Sequence, residues 1–239
     1  MEQKEFAYRR VLLKVSGEAL GGAAGRGLDF DVIRALCRSI RSCAEAGVQL
    51  GVVTGGGNYW RGVKDGGGKM ERSRADSMGM LATVMNSLAL AEALEQEGVP
   101  ARVMTTVEMP RVAESYNHGR AMHHLEKGRV VVFAGGTGNP YFSTDSAAAL
   151  KAAEIGADIL LMAKNIDGVY TADPKTDPTA VRLDELRYDR ILAEHLNVID
   201  STAACLLRDN AIPTMIFALD PPENILRVVR GERIGTIVH

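Results

Sequence analysis

Four apolar runs in this chain, residues 11–16, 49–54, 129–134 and 157–163, stop abruptly at glycine-rich or polar loops, and helix-patterned segments follow. Further strand-like runs lie at 101–107, 214–218 and 236–238. Helix-like segments lie at 30–46, 72–97, 114–127, 146–155, 188–194, 201–210 and 223–230. This alternation predicts an α/β fold, a three-layer α-β-α sandwich with a largely parallel central sheet and helices on both faces. Ligands of such sheets gather beyond the carboxyl ends of the strands. The loops after residues 16, 54, 134 and 163 are therefore expected to meet at one edge.

The richest of these loops is Gly135-Gly136-Thr137-Gly138-Asn139-Pro140-Tyr141-Phe142-Ser143-Thr144-Asp145. Its backbone N–H groups can aim at an anion, and the helix start that follows adds positive dipole. A second loop, Gly55-Gly56-Gly57-Asn58, is stripped of side chains, so that a ligand can approach the main chain closely. Arg61 follows with a planar fork of donors suited to phosphate. In the first run, Lys14 is either an edge-strand lysine in solvent or a buried cation with a chemical task, because an unpaired buried ammonium is costly.

Other segments read more plainly. Gly21 to Gly27 has no apolar anchor and reads as a mobile loop, and Asp29 or Asp31 can cap the helix after it. Gly66-Gly67-Gly68 reads as an exposed loop or lid. Within 72–97, Met78, Leu81, Ala82, Met85, Leu88, Ala89 and Leu94 form a stripe assigned to the core, and Asp76 is either a helix-start carboxylate or an acceptor for a sugar diol. His118, His123 and His124 miss the i, i+4 metal spacing and read as surface histidines.

The 239 residues fit one domain, 1–239, with no internal repeat and no linker. A net charge of −2 offers no phosphate-tracking surface for nucleic acid. Cys37, Cys43 and Cys205 read as reduced thiols. The start Met1-Glu2-Gln3-Lys4-Glu5 is no signal peptide, and no apolar run approaches the ~20 residues that span a bilayer, so a cytoplasmic protein is expected. P-loop, G-x-G-x-x-G, H-E-x-x-H and G-x-S-x-G motifs are absent. Glycine loops, two lysines, an arginine and several aspartates without an obvious nucleophile suit phosphoryl transfer, which asks for positioning and charge neutralisation.

The blocks Lys14-Val15-Ser16-Gly17-Glu18-Ala19-Leu20, Gly55-Gly56-Gly57-Asn58, Met78-Gly79-Met80-Leu81-Ala82-Thr83-Val84-Met85-Asn86, Gly136-Thr137-Gly138-Asn139-Pro140, Asp167-Gly168-Val169-Tyr170 and Gly235-Thr236-Ile237-Val238 occur in that order. Together they resemble the bacterial UMP kinases of the amino acid kinase superfamily, over nearly the whole chain. That resemblance implies ATP as donor with Mg²⁺, UMP as acceptor, an acceptor half at 1–135 and a donor half at 136–239, with the UMP loop at 136–145.

Residue by residue, the resemblance implies that Lys14 bridges the transferring group, Asp145 orients Lys14, and Arg61 binds phosphate. Val15, Ser16, Gly17, Gly57, Lys164, Asn165, Tyr170 and Asp173 would serve ATP. Gly56, Asp76, Thr137, Gly138, Asn139, Pro140, Tyr141, Phe142, Ser143 and Thr144 would serve UMP. The family is typically hexameric, activated by GTP and inhibited by UTP, with Arg102 and Arg129 at positions tied to the GTP site. Two departures stand out: Met162 replaces a lysine found in many members, with Lys164 two positions on, and Glu95 falls where some carry histidine. Another kinase of the superfamily (carbamate or acetylglutamate as acceptor) and a non-catalytic nucleotide or oxyanion binder on the same fold are the alternatives.

Overall fold

The computed structural model describes residues 6–239 except 63, 64, 66–68, 175, 195 and 197; the expected Gly66–Gly68 loop lies outside the described residues. The sheet strands are β1 (Arg10–Val15), β2 (Gln49–Thr54), β3 (Ala101–Thr105), β4 (Glu114–Ser115), β5 (Val130–Ala134) and β6 (Ile159–Lys164), then, after a separate antiparallel ribbon of β7 (Val169–Tyr170) and β8 (Arg182–Leu183), β9 (Glu185–Leu186), β10 (Thr214–Ala218) and β11 (Thr236–Val238). Among the described residues they make a nine-stranded sheet ordered β4-β3-β5-β2-β1-β6-β10-β11-β9. Each neighbouring pair is parallel except β10 with β11. β1 therefore lies in the middle, between β2 and β6, and Lys14 is not an edge-strand residue.

Two apolar layers enclose the sheet. On one face Val11, Leu13 and Val15 pack with Ile33 and Leu36 of α2 (Phe30–Glu45), Leu90 of α3 (Arg72–Gln96) and Ile225 near the C-terminus; α1 is the single turn Gly17–Leu20. On the other, Leu12 and Met162 pack with Ala121 of α4 (His118–Glu126), Ala148 of α5 (Thr144–Glu154), Tyr188 of α6 (Tyr188–Ala193) and Ala203 of α7 (Ser201–Asp209). α8 (Asn224–Val229) completes the first layer. Strand side chains alternate between faces, so Lys14 projects from the face of Leu12, toward α5.

Side-chain caps set several helix starts: Asp29 for α2, Asn117 for α4, Ser143 for α5 and Asp200 for α7 each accept backbone N–H groups. The 114–127 expectation is corrected by one of these. Glu114 and Ser115 pair beside β3, and helix begins only after the extended Asn117 cap, because an Asn side chain competes for backbone N–H groups. The Gly21–Gly27 loop holds a short 3₁₀ turn and is tied to Asn58 by Gly27 N–H to Asn58 O (3.1 Å) and Asn58 Nδ2 to Gly27 O (2.7 Å).

The α3 stripe is a second correction. Ala82 and Leu94 are buried, but Met78, Leu81, Met85 and Leu88 are 38 to 49% exposed. The helix instead buries a mixed face, with Val84, Leu90 and Leu94 in the core and Thr83, Asn86 and Ser87 inward beside them. α3 also meets the length and composition of a membrane span, with mean hydropathy 1.3 over its most apolar window, of which 44% is buried in the fold. His124 departs from the surface reading as well. It is buried between Glu114 Oε2 (3.2 Å) and Arg129 Nη1 (2.9 Å), and since a guanidinium only donates, Nδ1 accepts and Nε2 carries the proton.

Candidate active site

Lys14 Nζ lies 3.0 Å from Asp145 Oδ1, with the two side chains 12% and 18% exposed. The pair links the central strand to the first turn of α5. Ser143 fixes that turn, its Oγ accepting from Asp145 N (2.9 Å) and Ser146 N (3.2 Å).

Around the pair, glycines allow backbones to touch. A Cβ at Gly17 would sit 2.5 Å from Gly55 O, and one at Gly56 2.7 Å from Gly79 O and 2.9 Å from Ala82 Cβ. Any larger residue would push the β1 and β2 loops apart, or lift the β2 loop from α3. Polar residues on the inner face of α3 hold these loops. Asn86 Nδ2 donates to Gly55 O (2.6 Å) and Asn58 Oδ1 (2.8 Å), and Asn58 Nδ2 returns a bond to Asn86 Oδ1 (2.9 Å). Thr83 Oγ1 accepts from Gly135 N (2.9 Å), and Ala75 O from Trp60 Nε1 (2.8 Å). Asp76 receives Arg72 Nε (2.8 Å) and the Tyr141 amide (2.8 Å).

Two cavities open beside this centre. The smaller, about 300 Å³, is lined by Gly56, Gly57, Arg61, Asp76 and, from the Gly135–Asp145 loop, by Thr137, Asn139, Phe142, Ser143 and Thr144. The larger, about 950 Å³, lies between Glu18 and Ala19 on one side and Lys164, Asn165 and Ala218–Asp220 on the other. Arg61 of the smaller cavity forms an ion pair with Glu18 of the larger. Lys164 donates to Val198 O. Burial holds its ammonium below the usual lysine range; Asp145 and Asp200 oppose that shift and Lys14 adds to it.

Not every predicted residue lines a cavity. Val15 is fully buried in the core, so only its backbone can face a ligand. Ser16 is the residue before α1 and makes no side-chain cap bond. Gly138 is a turn glycine (φ +80°) packed on Thr106, Tyr141 lies under the Arg72 guanidinium (5.2 Å), and Pro140, like them, lies off the cavity wall. Tyr170, whose hydroxyl donates to Asp167 (2.9 Å), belongs to the β7–β8 ribbon; Asp173 follows it, and neither lines the larger cavity. Met162 is fully buried next to Lys14 in the sheet, while Lys164, two residues on, shares its face at the strand end. Arg102 contacts Glu95 (3.3 Å) and Glu114 (4.0 Å), far along the sheet from the Lys14–Asp145 pair.

The sequence reading assigned no role to Glu18, Asn58, Thr83, Asn86 or Asp200. The signal for four of them was present, since Glu18 stands in the Lys-Val-Ser-Gly-Glu block, Thr83 and Asn86 in the Met-Gly-Met-Leu-Ala-Thr-Val-Met-Asn block, and Asn58 ends the triple glycine.

A largely parallel sheet whose central strand carries a paired lysine, with glycine loops from neighbouring strands and two cavities at its edge, is an arrangement that can serve phosphoryl transfer. The amino acid kinase family profile matches residues 9–218, and the chain belongs to that family. Among solved structures it is similar to the UMP kinase from Bacillus anthracis, at 36% identity and a TM-score of 0.93, covering 97% of this chain and 96% of that one. It is similar to the UMP kinase from Ureaplasma parvum at 36% identity and TM-score 0.91, over 96% and 98% of the two chains. The uridylate kinase from Archaeoglobus fulgidus matches at 31% identity and TM-score 0.73, over 96% and 99%.

Proposed function

We infer that this chain is a UMP kinase, transferring the γ-phosphoryl group of ATP to UMP to give UDP and ADP. The observation that carries the reading is the Lys14–Asp145 pair, which lines neither cavity itself but adjoins Thr144 of the smaller in sequence and lies near enough to Lys164 of the larger for both its charges to act on that ammonium. The attacking phosphate oxygen of UMP is already ionised, so no general base is required. The barrier is anion meeting anion, which a held ammonium and glycine-loop N–H groups relieve.

In this reading the smaller cavity takes UMP, with Asp76 toward the ribose, the 137–144 loop around base and phosphate, and Arg61 on phosphate once it leaves Glu18. The larger cavity takes ATP, with Lys164 and Asn165 at its mouth and Tyr170 and Asp173 approaching only if the ribbon closes. Mg²⁺ arrives as the ATP complex. Among the described residues no three acidic, His or Cys side chains converge, and Mg²⁺ is commonly held by substrate phosphates and waters.

Self-association, up to a hexamer, is supported by the exposed α3 stripe. Two antiparallel copies of α3 would set Met78 against Leu88, Leu81 against Met85 and Arg74 beside Glu92, matching apolar area and charge together. A GTP response through Arg102 and Arg129 would have to compete with Glu95, Glu114 and His124, and inhibition by UTP would use the UMP cavity. Buried free Cys37 and Cys43 suit a reducing cytoplasm, and conversion of UMP to UDP would give the chain its place in pyrimidine nucleotide synthesis. The test is UDP formation from UMP and MgATP against a panel of CMP, carbamate and acetylglutamate. Absence of UDP from the purified protein would overturn the reading, and transfer to another acceptor would replace it.

A further inference from the structure

We propose that Asp200 is a positioning residue for phosphoryl transfer, holding the N-terminus of α5, and through it Asp145, against Lys14; this rests on the UMP kinase reading above. Asp200 itself lines neither cavity, yet it sits behind the cavity-lining Ser143, where two helix starts converge. It caps α7 by accepting from Ala203 N (2.8 Å). It also accepts the buried Ser146 hydroxyl at Oδ1 (3.0 Å) and Oδ2 (3.1 Å), and the Ser143 hydroxyl at Oδ2.

The Ser143 link decides the geometry. Ser143 Oγ already accepts from Asp145 N (2.9 Å) and Ser146 N (3.2 Å), so its proton is free to donate, and Asp200 takes it. The carboxylate thus fixes the direction of the hydroxyl that caps α5, one residue from the cavity-lining Thr144 and two from Asp145. The same turn carries the Val198 carbonyl that accepts from Lys164. One short segment, 198–200, therefore ties the end of the acceptor loop to the lysine at the mouth of the larger cavity. Freeing α5 would let Asp145, and with it Ser143 and Thr144 of the smaller cavity, drift from Lys14 while the larger cavity kept its walls. Misplacement of about 1 Å at a reacting centre is enough to lower turnover about 10²-fold.

The experiment uses the full-length enzyme and the variants Asp200→Ala, Asp200→Asn, Ser146→Ala and Asp200→Ala/Ser146→Ala. Asp200→Ala is expected to lower kcat by about 10- to 100-fold while KM for ATP changes by less than about threefold. Asp200→Asn keeps one acceptor oxygen in place of two, enough for Ala203 N and Ser146 Oγ or for Ser143 Oγ but not for all three, and is expected to recover part of that loss. The double variant is expected to be no slower than Asp200→Ala alone, because both remove one linkage. A wild-type kcat in Asp200→Ala, or additive losses in the double variant, overturns the proposal. If Asp200→Ala does not fold, the cycle is run with Asp200→Asn, where non-additive kcat supports the proposal and additivity overturns it. Wild-type protein that makes no UDP fails the functional reading itself, whereas UDP formation indifferent to position 200 fails only this inference.

Discussion

The side-chain amides of Asn58 and Asn86 are hydrogen-bonded to each other in both directions, at 2.9 and 2.8 Å, inside the protein. Each amide spends its remaining donor on a loop carbonyl, Gly27 O for Asn58 and Gly55 O for Asn86. Two glycine loops distant in sequence are thereby fastened to one helix. Asn86→Ala removes three of these bonds and leaves buried partners unsatisfied, at about 1–3 kcal/mol each before relaxation. The expected outcome is a clear drop in Tm together with a raised KM for UMP. An unchanged urea midpoint would count against the fastening role.

Lys14→Ala should act on turnover. Removing the ammonium held 3.0 Å from Asp145 takes away charge neutralisation needed most in the transition state. Loss of a single such group lowers kcat by roughly 10²–10³, with KM for UMP little changed. Steady-state kinetics of UDP formation checks this, and near-wild-type turnover would remove Lys14 from the mechanism.

The buried thiols give the stability a pH dependence of known sign. Burial pushes Cys37 and Cys43 from 9.0 up to about 12. Between those values the unfolded chain gives up thiol protons that the folded chain keeps, so their contribution to stability is complete below pH 9 and is lost as pH rises toward 12. Lys151 works in the opposite sense. Burial holds its ammonium below the ordinary 10.5, so stability rises with pH over the interval between its folded value and 10.5. Lys164, held low in the same way, adds to that rise, whereas Tyr8, Tyr116 and Tyr188, whose hydroxyls burial pushes up from 10.0, act with the thiols, so urea midpoints are expected to fall between pH 9 and about pH 11. In native protein near pH 8, a thiol reagent is expected to modify the partly exposed Cys205 and spare the other two, and to reach all three in denaturant.

Leu81→Glu and Met85→Glu place carboxylates on the outward stripe of α3, where each monomer already tolerates exposure. Folding should be preserved while assemblies that bury the stripe dissociate. Sedimentation of wild type and variants measures this, and an unchanged mass would locate the contact elsewhere.

The sequence was most informative where backbone periodicity carries the signal. The apolar run 11–16 marked a strand but left Lys14 either at an edge or buried, and the change from polar loop to helix pattern near residue 146 placed Asp145 beside a helix start. It was least informative where one helix has two competing faces. The stripe of α3 has helical spacing whether it faces the core or a second copy, and only coordinates show that Thr83 and Asn86 take the inside. Position 124 misled for a related reason, since a histidine bracketed by Glu114 and Arg129 is satisfied by residues distant in pattern though near in space. Asp200 lay in the strand-poor 187–200 stretch, where its link to Ser146 spans 54 positions.

β1 is hydrogen-bonded along both edges, to β2 and to β6, from Val11 to Val15. Its amides are therefore expected to exchange with solvent only when the whole sheet opens, whereas the glycine loops at its end can open locally. Lys14 rides on the part of the molecule that moves last, and the walls that admit and release nucleotide are drawn from the parts that move first. The charge stays still while the doors swing.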